Sequence, residues 1–407
     1  MPVNRGWIRF NSPRGTRRRS LAQSDDDRRI FMSRDFSSRG SAVMHLISSL
    51  EVGGAERLLI DFIKSCAGTP EIPQIVVVMN DRVDRDLAAE LDSTSAPTYY
   101  LSRPESSRNP RYLLDLIRII HSHRVSVIHS HNHGSKYWSA LCRVLKFDVK
   151  LAHTLHDTNI RINPPGVLFH NSMIDVTIAI SRAVADEARS LKIERVEQIE
   201  NGVPISLFSS VSAQPLGTRV KIISVGRLFP EKKGQDVLLR ALKRCVDRGL
   251  DVECTFVGSP ATGDLRTMPM LEALTSSLQL SSRVHFVQGR TDIATLLADA
   301  SIFVLPSRWE GFGLALVEAM AAGLPVIASN IDGPANIVTD GKDGLLFESG
   351  SDEQLAEKIA TLIQSPPLAD KLRKNGRTKS WEYDISTMRD KYMAVYGRLM
   401  IAGRVSQ

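Results

Sequence analysis

Ile302-Phe303-Val304-Leu305-Pro306-Ser307-Arg308-Trp309-Glu310-Gly311-Phe312-Gly313-Leu314-Ala315-Leu316-Val317-Glu318 passes from four apolar residues, through a polar loop with two glycines, into a second apolar stretch. A short apolar run closed by Pro and Ser reads as a buried strand, and the residues from about Leu314 read as the helix that follows. Strand, glycine-bearing loop, helix is half of a βαβ unit, so the question is whether the rest of the chain repeats it.

It does, in two series. Expected strands lie at 43–47, 75–79, 125–129, 150–154 and 176–180, with helices at 55–66, 111–123, 135–145 and 182–191 between them. Asn201-Gly202-Val203-Pro204 signals a turn, and the Ser, Gln, Pro and Gly that follow to about Thr218 have linker chemistry. Strands at 220–225, 254–257, 284–287, 302–305 and 325–328 form the second series. There Val237, Leu238, Ala241, Leu242, Cys245 and Val246 share a helical face that stops at Gly249. Alternating β and α segments predict parallel sheets. The fold class is therefore α/β, with two Rossmann-like doubly wound domains (41–200 and 219–380) joined by a linker at 201–218 and facing across a cleft.

Composition sets the bounds. The 407 residues suffice for two domains with their own cores. The net charge of +7 is concentrated in residues 1–40, where ten Arg and four Asp give +6 and leave +1 for the remainder, so no nucleic-acid partner is expected. That leader has no apolar periodicity and is expected to be disordered. A basic arm for phospholipid, an unstructured leader and an over-read upstream of Met32 all stay open for it. Cys66, Cys142, Cys245 and Cys254 are scattered, without metal-ligand spacing, and read as small buried residues in a reducing cytoplasm. No apolar run is long enough to span a membrane. Asp84-Arg85-Asp86 has the look of a metal-binding D-x-D but lies among other charges in an expected helix, and reads as a solvated face. No metal site is expected.

Ligands bind doubly wound folds at the C-terminal edges of their strands, so the loops there carry the chemistry. In Glu51-Val52-Gly53-Gly54-Ala55-Glu56, Gly53 and Gly54 let the backbone approach a ligand ahead of a helix, or simply make a tight turn. Gly226-Arg227-Leu228-Phe229-Pro230-Glu231-Lys232-Lys233-Gly234 places a guanidinium at a strand end and an ammonium at the start of the next helix, where it opposes the macrodipole. Arg227 and Lys233 aimed at a diphosphate would explain that placement. Past Glu310, the backbone of Gly311, Phe312, Gly313 and Leu314 exposes amides. Glu318 follows one turn later, where ribose hydroxyls could satisfy its carboxylate; pairing with a nearby Arg is the alternative. On the facing domain, His131 and His156 end two strands and open into the same cleft.

At these residues the chain, from about Ser41 to about Leu399, resembles the family 4 retaining glycosyltransferases of the GT-B fold. Glu310 and Glu318 match the family's E-x7-E signature, and Gly226-Arg227 with Lys233-Gly234 its Arg/Lys donor clamp. The resemblance implies a retaining transfer of a sugar from a UDP- or GDP-sugar to a lipid-linked or growing cell-surface glycan, in the cytoplasm or on the inner face of the cell membrane. It implies that Glu318 holds the ribose, Glu310 and the backbone after it the donor sugar, and Arg227 with Lys233 the diphosphate. His131 and His156 then reach the sugar from the acceptor-side domain, residues 219–380 form the donor domain, and 381–407 form a helix crossing back to the first domain. The family is associated with a front-face route in which the leaving phosphate helps deprotonate the acceptor, so neither an essential metal nor a cofactor is expected. Lys232 stays a rival to Lys233. Asp332-Gly333-Pro334-Ala335-Asn336 replaces the family's Gly-Gly-x-x-Glu, which leaves the donor sugar open. A non-catalytic donor-binding subunit, a nucleotide-sugar epimerase and a phosphorylase are the alternatives. Lys136, Tyr137, Trp138, Arg143, Val144, Leu145, Lys146 and Phe147 mix aromatics and cations in one expected helix, which could lie on a membrane surface.

Overall fold

The computed structural model describes residues 41–68, 72–145 and 148–405; the leader and the pair Lys146 and Phe147 lie outside the described residues. The first sheet is built from β1 (Ala42–Ile47), β2 (Gln74–Asn80), β3 (Thr98–Arg103), β4 (Val125–Ser130), β5 (Lys150–Leu155), β6 (Val176–Ala179) and β7 (Val196–Gln198). The second is built from β8 (Val220–Val225), β9 (Val252–Val257), β10 (Val284–Val287), β11 (Ile302–Leu305), β12 (Val326–Ser329) and β13 (Leu345–Phe347). Every ladder is parallel, in the orders β3-β2-β1-β4-β5-β6-β7 and β10-β9-β8-β11-β12-β13. Each order reverses direction once, between β1 and β4 and between β8 and β11. Loops leaving those strands are pushed to opposite faces there, which opens a crevice.

All ten expected strands are present. β3, β7 and β13 are additional; they lie outermost in their sheets or are only three residues long, so they carry little of the apolar signal that marks a central strand. Asp84 does not lie inside a helix but caps one: its carboxylate accepts the N–H groups of Asp86 and Leu87 at the start of Arg85–Asp92. The stretch with linker chemistry is packed rather than loose. It contains a helical turn, Ile205–Ser209, with Val203, Ile205, Phe208 and Ala213 buried against the second domain. Polar composition hid four apolar residues spaced to meet one surface.

The chain crosses between the domains twice, and the crossings lie side by side. Val203 N–H donates to the Tyr383 carbonyl and Ile385 N–H to the Val203 carbonyl, each at 2.9 Å. After the second crossing, the helix Ile385–Val405 returns to the first domain and buries Met388, Tyr392, Val395 and Tyr396 beside Phe62, Leu59 and Val127. The first domain therefore borrows part of its core from the C-terminus of the chain. Tyr396→Ala should cost about 3–5 kcal/mol, the usual loss for truncating a buried aromatic, and shift the first urea transition to lower denaturant. An unchanged midpoint would show that the first domain is complete without this helix.

Candidate active site

The loops that sequence reading singled out leave the strands at the two points of reversal. They face one another. From the first domain come the β1 loop (Glu51, Val52, Gly53) and the loop ends of β4 and β5 (His131, His156). From the second come the β8 loop (Arg227 to Gly234) and the β11 loop (Ser307 to Gly313). Arg227 Nη2 donates to the Val52 carbonyl at 3.2 Å, and Thr262 Oγ1 donates to Glu51 Oε1 at 2.7 Å across the same gap. A Cβ on Gly311 would stand 2.8 Å from the His156 carbonyl oxygen, so the β11 loop can touch β5 only because that residue is glycine.

The two lysines part company. Lys233 forms an ion pair with Glu310, whereas Lys232 reaches across the cleft to Asp157. Lys233 does not begin the long helix. It ends a separate turn, Pro230–Lys233, and Gly234 (φ +66°) intervenes before Gln235–Asp247, so the expected clash with that helix's macrodipole does not arise in this form. A side chain on Gly234 would collide with the Pro306 carbonyl, which locks the β8 loop against the β11 loop. Arg308 adds a second fastening: Nη1 and Nη2 donate to the two Asp236 carboxylate oxygens at 2.8 Å each. Lys233 and Glu310 are thus held together by loops fastened to each other, while Arg227 is exposed, with its one hydrogen bond to the facing domain.

Gly313 precedes the helix Leu314–Ala321, and Leu314 packs on Gly54 of the facing domain. One turn in, the Glu318 side chain makes no hydrogen bond or ion pair among the described residues. Removal from water, reinforced by Asp61 and partly offset by Arg57, pushes its carboxyl up to about 7. The alternative of a local arginine partner fails because Arg57 is held by Asp61 and Glu90. Glu318 is a carboxylate without a protein partner, facing the other domain. In the segment that departs from the family pattern, Asn336 turns back to donate to the Asp332 carbonyl at 2.6 Å. Gly333 presses on the β11 loop, where a Cβ would stand 2.6 Å from the Glu310 carbonyl oxygen.

His131 is buried and belongs to a cluster that sequence reading did not find. Gln74 Nε2 donates to the Ile72 carbonyl at 2.7 Å, which turns its Oε1 toward His45 Nε2 at 2.8 Å. His45 Nε2 is then the protonated nitrogen, its Nδ1 accepts from His131 Nε2 at 2.9 Å, and the lone pair of His131 is left on Nδ1. His129 is spanned between Tyr396 and Thr154, at 2.7 Å to each. His45, His129 and His131 have ring nitrogens near enough together to hold a metal ion, but all except His131 Nδ1 are already hydrogen-bonded, so the set fits a neutral network better than a ligand set. The rings of His131 and His156 lie 5.9 Å apart, and His156 Nε2 has no partner among the described residues. A histidine in the middle of β1, with an amide at the start of β2, was the available clue.

Burial holds His45, His156 and His170 down at about 4 and lowers His129, His131 and His153 as well. As pH falls below about 6.5 the unfolded chain binds protons that the folded chain refuses, so stability is lost between about pH 6.5 and about pH 4. Urea midpoints should fall steadily from about pH 7 to about pH 5. A flat profile over that range would mean that the histidines are open to water.

Comparison with known proteins follows the same division of the chain. Residues 52–207 match the model described as Glycosyltransferase Family 4, and residues 210–379 the model described as Glycosyl transferases group 1. An uncharacterized glycosyltransferase of Methanocaldococcus jannaschii is 28% identical, over 70% of this chain and 81% of that one. A D-inositol 3-phosphate glycosyltransferase of Mycobacterium bovis is 25% identical, over 96% of this chain and 88% of its own. The chain spans little more than half the length of some other relatives. Among solved structures, Anabaena HepE in complex with UDP and glucose superposes with a TM-score of 0.77 at 22% identity, over 88% of this chain and 100% of that chain. The chain belongs to glycosyltransferase family 4 and has its GT-B architecture.

Proposed function

We propose that the protein transfers a sugar from a nucleotide-sugar donor to a glycan or lipid-linked acceptor, with retention of configuration and without an essential metal. The observation that carries this reading is the convergence of Arg227, the Lys233–Glu310 pair and the unpartnered Glu318 on one cleft. UDP-sugars are the first donors to try, since UDP and glucose occupy the HepE structure. Glu318 accepts the ribose hydroxyls. Arg227 and Lys233 stabilise the charge that grows on the leaving diphosphate, together with the amides at the start of Leu314–Ala321. Their charge is fixed before the reaction, which is the service a divalent cation would otherwise supply. Glu310 keeps Lys233 in place and faces the donor sugar once the diphosphate engages the lysine. His131 Nδ1, the one unclaimed nitrogen of its cluster, is the group on the acceptor side with a lone pair to offer a sugar hydroxyl.

The membrane reading changes shape. Lys136 is buried and Arg143 pairs with Asp175, so the helix His133–Val144 presents Tyr137, Leu141 and Val144 outward in place of cations. No helix among the described residues is long and apolar enough to cross a membrane. Contact with the inner face of the membrane would therefore be apolar, through this helix.

Arg227→Ala and Lys233→Ala should each lose about 1.5–3 kcal/mol of transition-state stabilisation, about 10- to 150-fold in kcat, while Lys232→Ala, whose partner is Asp157, should lose far less. Turnover of a panel of UDP- and GDP-sugars with EDTA present reads all three. Near wild-type kcat in both clamp variants would overturn the assignment. Glu318→Ala should act mainly on donor binding. Because burial pushes the Glu318 carboxyl up to about 7, donor affinity should tighten as pH rises from about 6 to about 8, where the ionised group accepts ribose hydroxyls better. Calorimetry at the two pH values, with Glu318→Gln as the pH-insensitive control, checks the sign.

A further inference from the structure

Lys136 is a charge that the cleft chemistry does not use. It stands in the first turn of His133–Val144, is 3% exposed, and has no carboxylate partner among the described residues. Lysine is almost never buried so far unless paired. Its ammonium lies 5.5 Å from the centre of the Tyr137 ring. The groups nearest to it are of the wrong kind to balance it. His133, His153 and His170 are each held below the ordinary imidazole range, first by burial and next by this ammonium. The His153 and His170 rings are 5.7 Å apart; His170 Nε2 is bonded to Thr177 Oγ1 at 2.7 Å, and its Nδ1 has no partner among the described residues.

The helix adds to the imbalance. Asn132 caps the Ser135 N–H with its side chain and the Lys136 N–H with its carbonyl, which leaves the His133 and Gly134 amides at the terminus without a partner among the described residues. Side chains of a helix lean toward its N-terminus, so Lys136 brings its charge to the positive end of the dipole. An ammonium, a helix N-terminus and an orphaned imidazole, with no acid among them, form a locus that is complete only with an anion. It adjoins His131, two residues before the helix begins.

We propose that Lys136 and the N-terminus of His133–Val144 bind a phosphate group, and that the acceptor of this enzyme is one that carries phosphate. Only the word acceptor rests on the glycosyltransferase reading. The phosphate can belong to a soluble phosphomonoester or to a lipid headgroup. Exposed Tyr137, Leu141, Val144 and Leu168, along this helix and the neighbouring Pro164–Met173, offer a surface for an apolar chain attached to it.

The test uses the full chain carrying Arg227→Ala and Lys233→Ala, so that the donor clamp does not capture the probe. Glycerol 3-phosphate, followed by phosphorus NMR line broadening, probes the soluble source. Phosphatidylcholine vesicles with and without phosphatidic acid, followed by co-sedimentation, probe the lipid source. Phosphate-dependent binding in one arm is expected. Adding Lys136→Met should weaken it about tenfold or more, whereas Lys136→Arg should keep it. Lys136→Met should also leave the melting temperature equal or higher, because an unpaired buried ammonium gives way to an apolar side chain of like length. No binding in either arm, binding indifferent to Lys136→Met, or a Lys136→Met chain that melts lower or fails to fold would each overturn the proposal. Failure of the unmodified protein to turn over any nucleotide sugar would instead sink the donor reading and leave the phosphate result standing.

Discussion

Each sheet reverses its strand order once, and the chemistry of this protein depends on that constraint. Right-handed crossovers force helices onto one face while the chain builds outward in one direction, and onto the other face when it returns to build the opposite way. At the reversal the loops separate and leave backbone amides without partners. β1 and β4 form one such point, β8 and β11 the other. Arg227, Lys233 and Glu310 come from the two loops of the second and Glu318 from the helix that follows one of them, Gly53 and His131 from the loops of the first. No single loop holds the site, and none of these side chains would meet the others if either sheet ran in one direction only.

This explains what could be read in advance. A central parallel strand is apolar on both faces and announces itself, as 302–305 and 75–79 do, and the loop after it inherits a position in the site. Glu310, Glu318, Arg227 and Lys233 stand out in the sequence because their spacing is local, and the fold brings the loops that carry them, or lead into the helix that does, to the reversal between β8 and β11. The different partners of Lys232 and Lys233 were not legible, since they depend on Gly234 meeting Pro306 some seventy residues away. His45 and Gln74 were invisible for a similar reason. A histidine in an apolar strand looks like a packing residue until β1, β2 and β4 are laid side by side and the hydrogen bonds run from the Ile72 carbonyl through Gln74 and His45 to His131.

The polar interior follows one electrostatic rule in two ways. The histidine cluster of the first domain is kept neutral by burial, so its members can satisfy one another without counter-ions, and Tyr396 from the closing helix completes the chain of bonds through His129. Arg57, in contrast, stays charged and is surrounded by Asp61 and Glu90. Glu318, close by, has no paired cation of its own, and the partial offset from Arg57 leaves it pushed toward the neutral form. Its side-chain hydrogen-bonding capacity has therefore not been consumed by the protein.

The same contrast separates the two edges of the domain interface. Along the hinge side, Ile180, Val184, Ile205 and Phe208 share one apolar core with Phe312, Leu316 and Val317, and the paired crossings at Val203 and Ile385 tie it by backbone hydrogen bonds. Across the mouth the contacts are polar and partly solvated: Arg227 on the Val52 carbonyl, Thr262 on Glu51, Lys232 on Asp157. Contacts of that kind are worth about 0–1 kcal/mol each, and each uses a group that water or a ligand phosphate can replace. Opening at the mouth therefore costs little, while separation at the hinge would expose a continuous hydrophobic core. The direction in which the cleft opens more readily is set by that difference. Arg227, whose partner is a neutral carbonyl, is the cation at the mouth for which exchanging that partner for an anionic one brings the largest electrostatic gain.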